Sequence, residues 1–174
     1  DVYYYEVAQR TGIDKLAAMA RRPGIGVRFD LPMSAISEGL APDKEWKARK
    51  YGTGWLIGDT LNSGIGQGFV LASPLQLAVM TARIATGKAI MPRLLRAIDG
   101  QELAVEPAAD LGIDPAWLAH VRKGMFDVTN SRRGTAYGSR IVDDTMRMAG
   151  KTGTSQVRNI TAAERARGVV SNED

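Results

Sequence analysis

The four residues Ser73-Pro-Leu-Gln76 constrain the fold of this sequence more than any other stretch. A serine hydroxyl can accept a hydrogen bond from an early helical N–H, proline fits the first helical position, and glutamine at the third can reach back to the cap. Mostly apolar residues follow until Gly87, and glycine is typical of a helix end. The pattern therefore predicts a well-defined helix between Ser73 and Gly87.

Similar start and stop signals predict further helices. Dense apolar and aromatic residues over 2–10 and an amphipathic run over 15–21 indicate two short helices at the beginning of the sequence. Asp114-Pro115 again supplies a cap and a proline, ahead of apolar residues at three- and four-residue spacing that form a core face. Thr161-Ala-Ala-Glu164 has the capping-box pattern of a short helix near the end.

Two other regions lack helical periodicity. Residues 24–68 are rich in glycine, proline and charge, and they predict a long irregular excursion held in place by Trp46, Tyr51 and Trp55. Residues 146–157 alternate in side-chain character, which predicts a strand, and 158–174 read as a loop. The length of 174 residues makes one compact domain the default expectation.

Composition excludes several classes of function. The net charge of +4 comes from scattered basic pairs, so we expect no nucleic-acid binding. The sequence has no cysteine, and its single His120 has no partner at ligand spacing, so we expect no metal site. The glycines of Gly64-Ile-Gly-Gln-Gly68 lack the flanking residues of a nucleotide site, so no cofactor is expected. No apolar run is long enough to span a membrane, so we expect any anchor to lie outside the chain.

Lys151-Thr-Gly-Thr154 is the segment whose residue types are best suited to binding or catalysis. On a strand, Lys151 and Gly153 would share one face and the two threonines the other. A cationic head would then stand beside two hydroxyls and a backbone that a ligand can approach closely. Such an edge can bind an extended peptide that ends in a carboxylate. The alternative is a surface strand that enters a turn.

The context of this segment resembles a known family. Lys-Thr-Gly accompanies Ser-x-x-Lys and Ser-Asp-Asn in penicillin-binding proteins and class A β-lactamases, and residues 151–157 resemble the fuller transpeptidase form. Five further segments resemble class B penicillin-binding proteins, in family order: Asp30-Leu-Pro, Glu45-Trp-Lys, Gly58-Asp-Thr-Leu-Asn-Ser-Gly-Ile-Gly-Gln-Gly68, Ala72-Ser-Pro-Leu-Gln-Leu-Ala78 and Gly134-Thr-Ala136. The resemblance covers nearly the whole chain.

Within that family, Trp46, Gly58-Asp-Thr60 and residues 1–7 look most like the elongation-specific group, penicillin-binding protein 2. That group has Ser-x-Asp as its second motif, and Asp1 matches its last residue. The preceding serine and the Ser-x-x-Lys nucleophile motif are expected outside this chain, which alone should be inactive. The resemblance implies an α+β fold of the penicillin-binding/serine-β-lactamase-like transpeptidase type, with an antiparallel sheet flanked by helices. This fold would be incomplete in this chain, with residues 1–174 forming part of one transpeptidase domain.

The resemblance also implies roles for individual residues in serine acyl transfer. Lys151 would keep the site positive and hydrogen-bond the serine of the second motif. Thr152, Gly153 and Thr154 would bind the substrate, the two threonines holding its carboxylate, or that of a β-lactam, and the Thr154 N–H would form half of an oxyanion hole. Asp1 would orient the second motif, with ordinary helix capping as the alternative.

The implied protein cross-links peptidoglycan stem peptides during cell-wall elongation and is acylated by β-lactam antibiotics. By resemblance it sits at the periplasmic face of the bacterial inner membrane, with a glycosyltransferase and scaffold proteins of the rod complex as partners. A non-catalytic β-lactam-sensing or scaffold domain of the same fold remains open. A class A β-lactamase fits less well, because it would need a deacylating glutamate and more compact spacing than the 150 positions between Asp1 and Lys151.

Overall fold

The computed structural model describes residues 1–155 and is mostly helical within them. The α-helices are α1 Val2–Thr11, α2 Ile13–Arg21, α3 Lys44–Tyr51, α4 Ile57–Gly64, α5 Pro74–Thr86 and α6 Pro115–Asn130. Two short strands, β1 Ala97–Ile98 and β2 Gln101–Glu102, pair antiparallel with Ala97 opposite Glu102. Single 3₁₀ turns lie at Tyr137–Ser139 and Asp144–Met146. In this part of the chain, no helix is both long and apolar enough to cross a bilayer.

The helix predicted after Ser73 is confirmed as α5. The Ser73 hydroxyl accepts a hydrogen bond from the Gln76 N–H at 3.2 Å, and the Gln76 side-chain oxygen accepts one from the Ser73 N–H at 2.9 Å. Gly87 ends the helix in the left-handed region with φ 72°. The predicted helices at the beginning of the chain and after Asp114 are confirmed as α1, α2 and α6, whereas 161–164 lies outside the described residues.

Gln76 also connects α5 to the polypeptide that precedes α3. Its side chain is fully buried, and its amide nitrogen donates to the carbonyls of Val27 at 2.9 Å and Glu38 at 2.6 Å. A buried amide with all its groups paired stabilises the chain without leaving an unsatisfied polar atom. One helix-capping residue therefore also fixes two points of the 24–68 region.

The 24–68 region is less irregular than predicted, because it contains α3 and α4. The Asp43 carboxylate caps α3 by accepting from the Trp46 N–H at 2.8 Å, and Gly52 ends it with φ 65°. The mostly charged sequence of α3 has no apolar stripe, so periodicity gave no signal for it. The prediction of irregular structure is corrected over these two helices.

Aromatic side chains hold this region together, as predicted. The ring centroids of Trp46, Tyr51 and Trp55 lie 5.2, 5.6 and 6.4 Å from that of Phe69. Edge-to-face and tilted contacts at such distances each stabilise by about 0.5–1.5 kcal/mol beyond the area they bury. Their common partner is Phe69, which lies between α4 and α5 and which no sequence pattern indicates.

The strand predicted over 146–157 does not form in its described part. Asp144–Met146 is a 3₁₀ turn, and residues 147–155 have no regular secondary structure. A β-strand requires a hydrogen-bonded neighbour, and the sheet formed by the described residues consists of β1 and β2 alone. The alternating sequence therefore has no ladder partner there, and the strand prediction is corrected as far as Ser155.

Contacts divide the chain into two compact units, Asp1–Arg122 and Lys123–Asp174, the second described as far as Ser155. The expectation that 1–174 is part of one domain stays a prediction. In the first unit α1 packs on α4, where Gly64 faces the buried Ala8 so closely that a Cβ on Gly64 would overlap the Ala8 Cβ. A small residue at position 64 is thus a condition for this helix contact.

We expect Gly64→Ala to lower the free energy of unfolding by about 1–3 kcal/mol, because an added methyl group must push two helices apart. Gly58→Ala is the matched control on the same helix, since a Cβ there meets nothing within 4 Å and alanine favours the helix by about 0.4–1 kcal/mol. Urea denaturation of both variants measures the difference. Equal stability of the two would show that the α1–α4 contact is not close-packed.

Candidate functional site

Lys151-Thr-Gly-Thr154, the segment with predicted site chemistry, lies in the second unit and is exposed along its whole length. The Lys151 ammonium donates to the Thr152 carbonyl at 2.5 Å. The ion pairs in the described part of this unit, Lys123–Asp127 and Arg147–Asp144, involve other cations. Lys151 thus presents a positive charge to solvent without a carboxylate partner among residues 123–155.

The end of α6 fixes the backbone just before Lys151. The Met148 carbonyl accepts from the Thr129 hydroxyl at 2.6 Å and from the Asn130 side-chain nitrogen at 2.9 Å. The Gly150 N–H donates to the Met125 carbonyl at 3.0 Å. Thr129 is 1% exposed, so its hydroxyl is a buried and satisfied donor. These bonds fix the backbone at residues 148–150, directly before the candidate site, although no strand forms there.

The Gly134-Thr-Ala136 loop holds the segment at a second point. The Ala136 N–H donates to the Val128 carbonyl at 3.0 Å, which ties the loop to the last turn of α6. A Cβ on Gly134 would overlap backbone oxygens of that turn, so this approach requires glycine. The Thr135 hydroxyl lies 3.1 Å from the Thr152 hydroxyl. The loop therefore brings a third threonine hydroxyl to the predicted site.

Asp1 lies in the first unit, directly before α1, and is exposed. Its backbone carbonyl accepts from the Tyr5 N–H at 3.1 Å, but its carboxylate makes no capping hydrogen bond. Side-chain capping of α1, the alternative to a functional role, is therefore not seen. The catalytic roles of Asp1, Lys151 and Thr154, and the substrate contacts of Thr152, Gly153 and Thr154, stay predictions.

Sequence reasoning missed the residues that support the candidate site. For the helix that Thr129 and Asn130 end, the sequence predicts only a core face. The bonds of these two side chains to Met148 depend on the fold of residues 131–147. Thr135 belongs to the family-like segment Gly134-Thr-Ala136, but the sequence alone predicts no role for its side chain. Among the described residues, no group of three His, Cys, Asp or Glu side chains could hold a metal ion.

Comparison with known sequences is consistent with this geometry. The profile of the Penicillin binding protein transpeptidase domain matches residues 1–168. The chain is 36% identical over 174 residues to the peptidoglycan D,D-transpeptidase MrdA of Haemophilus influenzae, covering 95% of this chain and 26% of that protein. It is 38% identical over 172 residues to MrdA of Acinetobacter baumannii, covering 95% of this chain and 25% of that protein. It thus spans about a quarter of the length of these relatives.

Solved structures show the same relationship. PBP2 of Helicobacter pylori, in a complex with MreC, is 36% identical with a TM-score of 0.77, covering 90% of this chain and 29% of that one. Pseudomonas aeruginosa PBP2 is 40% identical with a TM-score of 0.71, and the match covers 79% of this chain and 32% of that one. The predicted resemblance to penicillin-binding protein 2 and the incomplete transpeptidase fold are confirmed. The chain belongs to the penicillin-binding protein transpeptidase domain family.

Proposed function

We propose that this chain is a segment of a peptidoglycan D,D-transpeptidase that cross-links stem peptides through a serine acyl-enzyme and is acylated by β-lactams. The observation that carries the proposal is the exposed Lys151-Thr-Gly-Thr154 segment, held by α6 and by the 134–136 loop. Membership of the transpeptidase family and the MrdA relatives support it. Nothing in the described residues favours a non-catalytic domain.

The reaction we propose has two acyl transfers. A serine hydroxyl attacks the penultimate D-alanine carbonyl, its proton passes to the leaving amine, and the terminal D-alanine departs. The amine of a neighbouring stem peptide then attacks the ester carbonyl and forms an amide, the acyl–oxygen bond breaks, and a proton from the amine returns to the serine oxygen. No serine in these 174 residues is followed by lysine at the third position, so the nucleophile would come from another part of the protein.

The chain's own residues would bind and orient the substrate. The Lys151 ammonium would stabilise negative charge and hydrogen-bond the serine of the second motif, which Asp1 would help to orient. The hydroxyls of Thr152 and Thr154 would bind the peptide carboxylate, and Gly153 would allow the substrate backbone to approach. The Thr154 N–H would donate to the oxyanion, a contact whose loss typically slows such reactions by about 10²–10³-fold.

The cellular setting belongs to the same proposal. A transpeptidase acting on stem peptides would work at the periplasmic face of the bacterial inner membrane. The complex of Helicobacter pylori PBP2 with MreC favours a scaffold partner of the rod complex for this protein, and a glycosyltransferase would supply the strands to be cross-linked. Depletion of the protein should accordingly reduce wall cross-linking and alter rod shape.

Labelling with a fluorescent penicillin tests the proposal. The complete protein that contains this segment should form a stable covalent adduct, because deacylation by water is slow in a transpeptidase. The 174-residue segment alone should not label, since it carries no Ser-x-x-Lys motif. Rapid turnover of penicillin by the complete protein would indicate a β-lactamase instead. An adduct without cross-linking of stem peptides would indicate a β-lactam sensor.

A further inference from the structure

We propose that Thr135 is a positioning residue that directs the hydroxyl of Thr152 toward the carboxylate of a bound peptide or β-lactam. The inference rests on the proposed function and assigns a role in ligand binding to the Thr135 hydroxyl, to which that function gives none. Thr135 would not touch the reacting atoms. It would act through Thr152, whose hydroxyl lies 3.1 Å from its own.

The number of protons on the two hydroxyls sets the direction of this hydrogen bond. Each threonine hydroxyl has a single proton to donate and lone pairs to accept with. If Thr152 donated to Thr135, it would meet a ligand carboxylate with lone pairs only, and the contact would be repulsive. If Thr135 donates, the Thr152 proton is available for the carboxylate. Binding of an anion therefore selects the arrangement in which Thr135 is the donor.

This arrangement also strengthens the contact to the ligand. A hydroxyl that accepts one hydrogen bond becomes a better donor in the next, because consecutive bonds polarise one another. A hydroxyl bond to a carboxylate is charge-assisted and gains most from such polarisation. Thr135 thus raises the affinity of Thr152 for an anionic group, whereas it has little influence on a neutral one.

The loop is built to keep Thr135 in place. Gly134 lies against the backbone oxygens of Asp127 and Val128, too close for any side chain. The Gly134 N–H donates to the Ser131 carbonyl at 2.8 Å and the Ala136 N–H to the Val128 carbonyl at 3.0 Å. Backbone bonds on both sides of Thr135 therefore fix its position while its side chain stays exposed. A replacement at 135 should change the hydroxyl without disturbing the loop.

The test compares a penicillin with its methyl ester, which lacks the negative charge, on the complete protein and its variants. Mass spectrometry of the covalent adduct gives the second-order acylation rate for each compound. Thr135→Val keeps the shape of the side chain and removes the hydroxyl. We expect it to slow acylation by the acid by about three- to tenfold and acylation by the ester by less than about twofold. Thr135→Ser should restore the rate with the acid.

A double-variant comparison separates this role from a general effect on the fold. In a Thr152→Val background, Thr135→Val should cause no further loss, because the hydroxyl it directs is gone. An equal loss for acid and ester, or a loss that persists in the Thr152→Val background, would overturn the inference. So would a Thr135→Val protein that is acylated as fast as the unchanged one.

If the unchanged protein forms no adduct with the penicillin at all, the proposed function itself fails, and the inference fails with it.

Discussion

Replacing Lys151 by alanine is expected to slow acylation of the complete protein by a fluorescent penicillin by about 10²–10³-fold, the usual cost of removing one group that stabilises the charge developing in the transition state. The ammonium is exposed and has no carboxylate partner among residues 123–155. Under the proposed function, its charge would therefore be available both to the substrate anion and to the serine of the second motif. Loss of that charge removes an interaction that grows as the oxyanion develops, so the chemical step should slow more than binding weakens.

Lys123→Ala is the matched control for this experiment. Lys123 lies in the same unit, and its ion pair with Asp127 is exposed, so its loss should cost about 0.5 kcal/mol or less and leave the acylation rate unchanged. The thermal unfolding midpoint of Lys151→Ala should change little, because the hydrogen bond that its ammonium makes in the described residues is an exposed one to the neighbouring Thr152 carbonyl. Acylation of Lys151→Ala within about threefold of the unchanged rate would exclude a catalytic role for the lysine.

The features that could be predicted from the sequence are the local ones. The cap of α5 forms between Ser73 and Gln76, three residues apart, and the end of α5 depends on one glycine in the left-handed region. Such signals act within one turn of helix, so a single sequence contains all the information they need. The Lys-Thr-Gly segment is also local, but its predicted role depends on the resemblance of further segments along nearly the whole chain.

The features that could not be predicted depend on partners distant in sequence. The amide of Gln76 bonds carbonyls 49 and 38 residues away, and α3 is stabilised by its packing rather than by an apolar stripe. Residues 147–155 alternate as a strand does, yet a strand exists only where another strand pairs with it. The contacts that support the candidate site also depend on distant partners. Thr129 and Asn130 bond Met148, and Thr135 bonds Thr152, only after the chain that follows α6 has folded back on that helix.

The buried ion pair between Lys47 of α3 and Asp59 of α4 should give the largest stability effect in the first unit. The two side chains are 8% and 17% exposed, and the ammonium lies 5.8 Å from the Trp55 ring centroid and 5.7 Å from that of Phe69. Burial acts to raise the pKa of Asp59, but the Lys47 ammonium and the Leu56 N–H outweigh it, and the pKa lies below its usual range. The pair thus connects two helices inside the aromatic cluster.

We expect Asp59→Asn to lower the free energy of unfolding by about 3–5 kcal/mol, because it leaves a buried ammonium without its counter-charge. The asparagine oxygen can still accept from the Leu56 N–H, as Asp59 does at 2.9 Å, so the start of α4 is preserved. Adding Lys47→Met to Asp59→Asn should recover most of the loss, since an apolar side chain suits the aromatic surroundings. Glu45→Gln on α3, which breaks an exposed pair with Arg49, should change stability by about 0.5 kcal/mol or less.

The same pair predicts how stability depends on pH. A carboxyl group whose pKa is lower in the folded state stabilises the protein fully above its unfolded pKa, about 3.9 for aspartate, and that contribution is lost as the pH falls through the folded value. Denaturant midpoints measured from pH 7 downward should therefore decline for the unchanged protein below about pH 5, with a shallower decline for Lys47→Met/Asp59→Asn. Parallel declines would show that another carboxylate causes the acid sensitivity. A loss below about 1 kcal/mol for Asp59→Asn at pH 7 would mean that water solvates the Lys47 ammonium or that another carboxylate pairs with it.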